Sequence, residues 1–183
     1  ERLGPNQPGQ LVIRGGTVMR GYWKKPEKTA EKLKDGPLPG EKVLYTGDRC
    51  MVDEDGYLYF LGRMDQMIKS RGVKVSPKET EDHLYQHPMV KDAAVMGVPH
   101  PEFGEALFAY VTLVPDGTAT PIDLRTHCKS GLETYSVPEW IEILPAFPLT
   151  PNGKFNYLAL REQAHAKTSG AARALSDPNV VVQ

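Results

Sequence analysis

The chain has 183 residues, 40% of them hydrophobic and 25% charged, and a formal net charge of −1. That is the profile of one or two small globular domains, with no electrostatic case for nucleic acid or an acidic membrane surface and no apolar run long enough to span a bilayer. The two cysteines, Cys50 and Cys128, lie far apart without metal or redox spacing, so they read as free thiols in a reducing compartment, which points to the cytoplasm.

Residues 1–10 are rich in Gly, Pro, Asn and Gln and read as loop. Leu11-Val12-Ile13 is a short strand turned by Gly15-Gly16, and Val18 to Trp23 reads as a second extended piece. Pro26-Glu27 opens a short helix to about Lys34, with Pro in the first turn and an acid at the positive helix end. Val43 to Asp48 is a strand running into a turn. Met51-Val52 and Tyr57 to Phe60 then read as a hairpin across Asp53-Glu54-Asp55-Gly56, with Asp-Gly at its end as the turn signal. Gly62 to Asp65 breaks this β-rich pattern and is the best domain boundary.

Beyond it, Gln66 to Lys69 and Val73-Lys74-Val75 pair across a Ser70-Arg71-Gly72 turn. Ser76-Pro77-Lys78-Glu79 predicts a helix start with a capping box, and the helix runs to about Gln86. Strands follow at Val90 to Val98 and Ala106 to Val114, a helix from Thr120-Pro121, and a strand at Trp140 to Leu144. A stiff turn, Leu149-Thr150-Pro151-Asn152-Gly153-Lys154, precedes a helix from Tyr157 to about Lys167. Residues 168–183 lose periodicity and read as a tail or linker. From Gln66 the order is ββ-α-β-β-α-β-loop-α, which fits a sheet covered by helices.

Five segments recur in one order: Tyr45-Thr46-Gly47-Asp48, Gly62-Arg63-Met64-Asp65, Lys69-Ser70-Arg71-Gly72, Pro77-Lys78-Glu79, and Pro148 to Lys154. With Gly9 to Gly15, Gly21-Tyr22-Trp23 and Pro26 to Thr29, they resemble the adenylate-forming (AMP-binding) superfamily over roughly residues 9–162. Ile68 to Gly72 and Val75 to Glu79 look most like acyl-CoA synthetases. The resemblance implies an α+β fold class and the tail of a longer enzyme. Residues 1–62 would be a β-rich remnant of the large N-terminal region, 63–65 a hinge, and 66–167 the small mobile lid domain. The family's phosphate loop and acyl pocket are not found here, so this polypeptide alone is expected not to adenylate a substrate.

Site residues follow by resemblance. Asp48 would accept the ribose hydroxyls of ATP, and Arg63 would lie near ribose and phosphates. Asp65 would be a conformational pivot that does not titrate in the chemistry. Lys69, Ser70, Arg71 and Gly72 would face the active site when the thioester forms. Lys154 would meet the substrate carboxylate and the α-phosphate and stabilise charge developing there; Asn156-Tyr157 stand where the family often has a basic residue. Glu79 reads first as a helix-capping residue. His83 and His87 are four apart on a predicted helix but have no third ligand, so they read as surface or structural.

The implied substrates are a carboxylic acid, ATP and CoA, with Mg2+ held mainly by the missing N-terminal domain, which would be the chief partner. The implied reaction forms acyl-AMP and pyrophosphate, then the CoA thioester. An adenylation domain loading a carrier protein and an inactive isolated lid are the alternatives. Separated from a parent sheet, residues 1–62 are expected to expose apolar strand surface and to self-associate.

Overall fold

The computed structural model describes residues 2–175, with side chains as far as Thr168. The chain divides between Asp65 and Gln66 into two compact units.

The first unit contains β1 (Gly9–Ile13), α1 (Pro26–Lys32), β2 (Leu33–Asp35), β3 (Lys42–Val52) and β4 (Leu58–Arg63). Its antiparallel sheet is built on β3, which pairs with the other three strands. β3 runs unbroken past Asp48, where the sequence predicted a turn. The turn signal survives as an irregularity: Gly47 has φ +84°, and register shifts flank Asp48 in both neighbouring ladders. Such bulges re-aim side chains. The extended piece predicted over Val18 to Trp23 is not a strand. Instead Thr29 Oγ1 accepts the Tyr22 amide at 2.9 Å, and the Lys25 amide bonds the Tyr22 carbonyl, folding this stretch onto α1. Leu33, Val43 and Cys50 are the buried hydrophobic residues described for this unit, whereas Tyr57, Leu58, Tyr59 and Phe60 are exposed.

The second unit contains β5 (Ile68–Ser70), β6 (Val73–Val75), α2 (Pro77–Tyr85), β7 (Val90–His100), β8 (Gly104–Leu113), α3 (Pro121–Gly131), β9 (Trp140–Ile143) and α4 (Tyr157–Leu175). The order is the one read from the sequence, and the fold class is α+β. β8 pairs antiparallel with β7 and parallel with β5 and β9. Both faces of this sheet are buried. Ala93, Val95, Leu107, Ala109 and Val111 pack with Leu84 of α2 and with Leu124 and Cys128 of α3. Ala94, Met96, Val98, Phe108 and Tyr110 pack with Leu160 and Ala164 of α4. Two-sided burial is why β7 and β8 read as near-continuous apolar runs.

Two helix predictions need correction. Ser76 is the N-cap of α2 and Pro77 follows it, but the Ser76 side chain makes no cap hydrogen bond, and the Glu79 amide bonds the Ser76 carbonyl. The capping box is on α3, between Thr120 and Asp123. Helix α4 continues to Leu175, past the predicted start of the tail, because Ala171-Ala172-Arg173-Ala174-Leu175 are strong helix formers. Residues 176–183 of that predicted tail lie outside the described residues.

Candidate active-site residues

The first unit brings three of the candidates together. Asp48 and Arg63 are direct partners in the β3–β4 register. Arg63 Nη1 donates to Asp48 Oδ1 at 2.8 Å, while its Nε and Nη2 donate to Asp65 Oδ1 and Oδ2 at 3.0 Å each. One guanidinium therefore spans two carboxylates, gripping Asp65 in the bidentate geometry that favours arginine. The Thr46 hydroxyl bonds the Leu11 carbonyl and accepts the Asp48 amide, fixing the backbone at the irregular point of β3. A Cβ on Gly47 would sit 3.2 Å from Arg63 Nη2 and 3.3 Å from Lys32 Nζ. Glycine thus suits both the left-handed backbone at this point of β3 and the close approach of two cationic side chains to it. Arg63 holds the Asp65 carboxyl below the usual carboxylate range, chiefly through the fork, and Asp65 in turn raises the guanidinium. Among the described residues Asp48 Oδ2 has no hydrogen-bond partner, so that oxygen can accept a hydroxyl.

In the second unit, Lys69 lies opposite Lys74 in the β5–β6 hairpin. Arg71 and Gly72 form its turn, with φ of 50° and 81°, both in the left-handed region that tight two-residue hairpins require. Ile68, Ser70 and Val75 are buried, and Lys69 and Lys74 are exposed. The Lys69 amide donates to Glu105 Oε2 at 2.8 Å. Arg71 lies 3.5 Å from the centre of the Phe103 ring, which stacks on His100 at 4.2 Å. Arg71 Nη2 also faces Glu139 Oε2 at 3.7 Å, and Glu139 Oε1 accepts from Arg125 Nη2 at 3.1 Å. Phe103, Glu105, Arg125 and Glu139 were not singled out by sequence reasoning. Phe103, Glu105 and Glu139 meet the hairpin from distant stretches of chain, Arg125 is linked to it through Glu139, and no local spacing announces these contacts.

Lys154 ends a cross-tied turn. The Thr150 amide and hydroxyl both bond the Lys154 carbonyl, at 2.7 and 3.1 Å, and the Gly153 amide bonds the Thr150 carbonyl. Leu149 bridges to Phe155, and Phe155 meets the buried Phe147 edge-on at 4.9 Å. Asn156, at the position where the resemblance led to a basic residue, caps α4: its Oδ1 accepts the Ala159 amide at 3.1 Å. The Lys154 backbone is therefore held firmly while its side chain is exposed, and the ammonium has no counter-ion among the described residues.

The histidines belong to structure. His83 and His127 each donate Nε2–H to the other's backbone carbonyl, at 3.0 and 2.9 Å, with rings stacked 4.5 Å apart and His87 edge-on to His127. They tie α2 to α3. Among the described residues no three His, Cys, Asp or Glu side chains converge to hold a metal ion, both cysteines are free and buried, and no helix is long and apolar enough to cross a membrane.

Residues 79–154 match the family model of the AMP-binding enzyme C-terminal domain. The chain is 38% identical, over 93% of its length, to a long-chain-fatty-acid–CoA ligase of Escherichia coli O157:H7, of which it spans 29%. It is 40% identical, over 85% of its length, to 4% of tyrocidine synthase 2 of Brevibacillus parabrevis. The amide bond synthetase McbA from Marinactinospora thermotolerans superposes with a TM-score of 0.80 at 33% identity, covering 90% of this chain and 32% of that one.

Proposed function

Because this chain belongs to the adenylate-forming enzymes, we propose that it supplies the mobile part of an acyl-CoA ligase. In the whole protein ATP and a carboxylic acid give acyl-AMP and pyrophosphate, and the thiol of CoA then displaces AMP to give the thioester. Residues 1–62 complete the nucleotide site, 63–65 serve as the pivot, and 66–167 are the domain that swings. Asp48 accepts a ribose hydroxyl while Arg63 orients it. Lys154 carries the cation to the carboxylate and α-phosphate, whose charge grows on the way to the adenylate. The Lys69–Gly72 hairpin serves the second step, where Gly72 leaves backbone accessible to a thiol-bearing arm. Mg2+ would be held outside this chain, and no step assigned to its residues passes through the metal.

The observation that carries this reading is the Lys154 turn. Its backbone is locked by Thr150 and anchored by Phe155, yet its ammonium is unpaired among the described residues. A cation on a fixed backbone, unspent within the fold, is available to stabilise the charge that develops in acyl-phosphate formation. A second reading is an adenylation domain that passes its acyl group to a carrier protein, and the likeness to part of tyrocidine synthase 2 keeps relatives other than CoA ligases in view. ATP–pyrophosphate exchange tests the common first half. It should appear when residues 9–162 replace the matching segment of a relative, and be absent from the 183-residue chain alone. Exchange by the chain alone would defeat the two-part reading. Acceptance of the acyl group by free CoA, with none by a phosphopantetheinylated carrier, would select the ligase.

A further inference from the structure

The β5–β6 hairpin is held at its base, where Ile68 and Val75 join the core and the Lys69 amide bonds Glu105, but its tip is lightly tied. Its strands have three residues each, Lys69 and Lys74 are opposed like charges, and its ladder to the sheet is the single Ser70–Glu105 position. What locates its tip is Arg71. The guanidinium lies on Phe103 and faces Glu139, and Glu139 is fixed at the start of β9, where its own amide bonds the Leu107 carbonyl at 2.9 Å. Arg125 of α3 holds the other carboxylate oxygen. Arg71, Arg125, Lys129 and Glu139 line a cavity of about 250 Å³. Glu139 is the carboxylate among these three cations. Without it Arg71 and Arg125 have lost their shared counter-ion and repel, and the Arg71 guanidinium keeps only the Phe103 stack.

We propose that Glu139 is a positioning residue for the thioester-forming step, holding the hairpin tip in place through Arg71. This rests on the reading that residues 69–72 face the thiol acceptor. Glu139 touches no reacting atom, so its removal should spare adenylation.

The test uses the whole adenylate-forming protein that carries this chain, with Glu139→Gln, Glu139→Asp and Arg125→Gln. Glu139→Gln should slow thioester formation from supplied acyl-adenylate and CoA by about tenfold, the scale of a modest misplacement, leave pyrophosphate exchange unchanged, and speed amide-hydrogen exchange at Arg71 to Val73. Glu139→Asp should restore part of both losses, and Arg125→Gln should show the same pattern more weakly. A parallel fall of both half-reactions, or unchanged exchange at the hairpin, would overturn the proposal. Failure of the functional reading looks different: the unaltered protein would form acyl-adenylate but no thioester, while the exchange signature of Glu139→Gln persisted.

Discussion

Arg63 grips Asp65 through two hydrogen bonds of 3.0 Å while a third nitrogen of the same guanidinium holds Asp48. The side chain of a proposed pivot residue is thus tied to the strand that carries the proposed ribose acceptor. Asp65 has its carboxyl pulled below the ordinary value by Arg63. For a depressed carboxyl, the contribution to stability is complete above the unfolded value and is lost as pH falls through the folded one. Asp65→Asn should therefore be less stable than the unaltered chain at neutral pH, and the gap should close below about pH 3–4, as Asp65 protonates and the unaltered chain loses an ion pair that the variant never had. Urea unfolding across that range measures it. A gap independent of pH would show that the fork contributes nothing through its charge. Arg63→Lys, which keeps the charge but not the fork, should fall between the two at neutral pH.

Lys154→Ala should slow adenylation by an amount on the order of 3 kcal/mol or more, the scale seen when one preorganised donor is removed. Thioester formation from supplied acyl-adenylate should remain largely intact. The melting temperature should hold, because the ammonium has no partner in the fold and the turn is tied through backbone and Thr150. Equal loss in both half-reactions would defeat the division of labour between Lys154 and Lys69.

The second unit was legible because its signals are local: apolar runs for β7 and β8, proline at the start of α2 and α3, and Arg71-Gly72 for the hairpin turn. The errors share a cause. Ser76 carries a capping-box pattern, but the box forms at Thr120 and Asp123 instead. Gly47 reads as a turn, yet β1 and β4 pair on either side of it and carry the strand through. Asp48, Arg63, Asp65 and Lys154 were reached through ordered motifs. Glu139 and Phe103 were not, because what matters about them is a contact with Arg71 from a distant stretch of chain.

The first unit should self-associate. Val12, Ile13, Tyr45, Val52, Leu58, Tyr59 and Phe60 are all at least 37% exposed, and exposed apolar side chains on paired strands invite association. Sedimentation of the 183-residue chain should show concentration-dependent association, with binding of an apolar dye that weakens as association proceeds. Tyr59→Lys with Phe60→Lys should reduce both. A monodisperse monomer that binds no dye would contradict the prediction.

Cys128 offers an alkaline test of the α2–α3 layer. Burial raises its thiol from 9.0 to about 11, and the sulfur packs in the core with Leu84 and Leu124. A thiol whose folded value is raised contributes stability that is complete below the unfolded value and is lost as pH rises toward the folded one. Stability should therefore decline between pH 9.0 and about 11 by a component that Cys128→Ala lacks. Cys128→Ala should also be less stable at neutral pH through its lost core contacts, so the two curves should converge on the alkaline side. Reaction of Cys128 with a thiol reagent at pH 8 should be slow in the native chain and fast in urea, since both access and thiolate are withheld by the fold. Native-state labelling as fast as in urea would mean that the α2–α3 layer opens readily, and Glu139, held by Arg125 on α3, would then have a moving support.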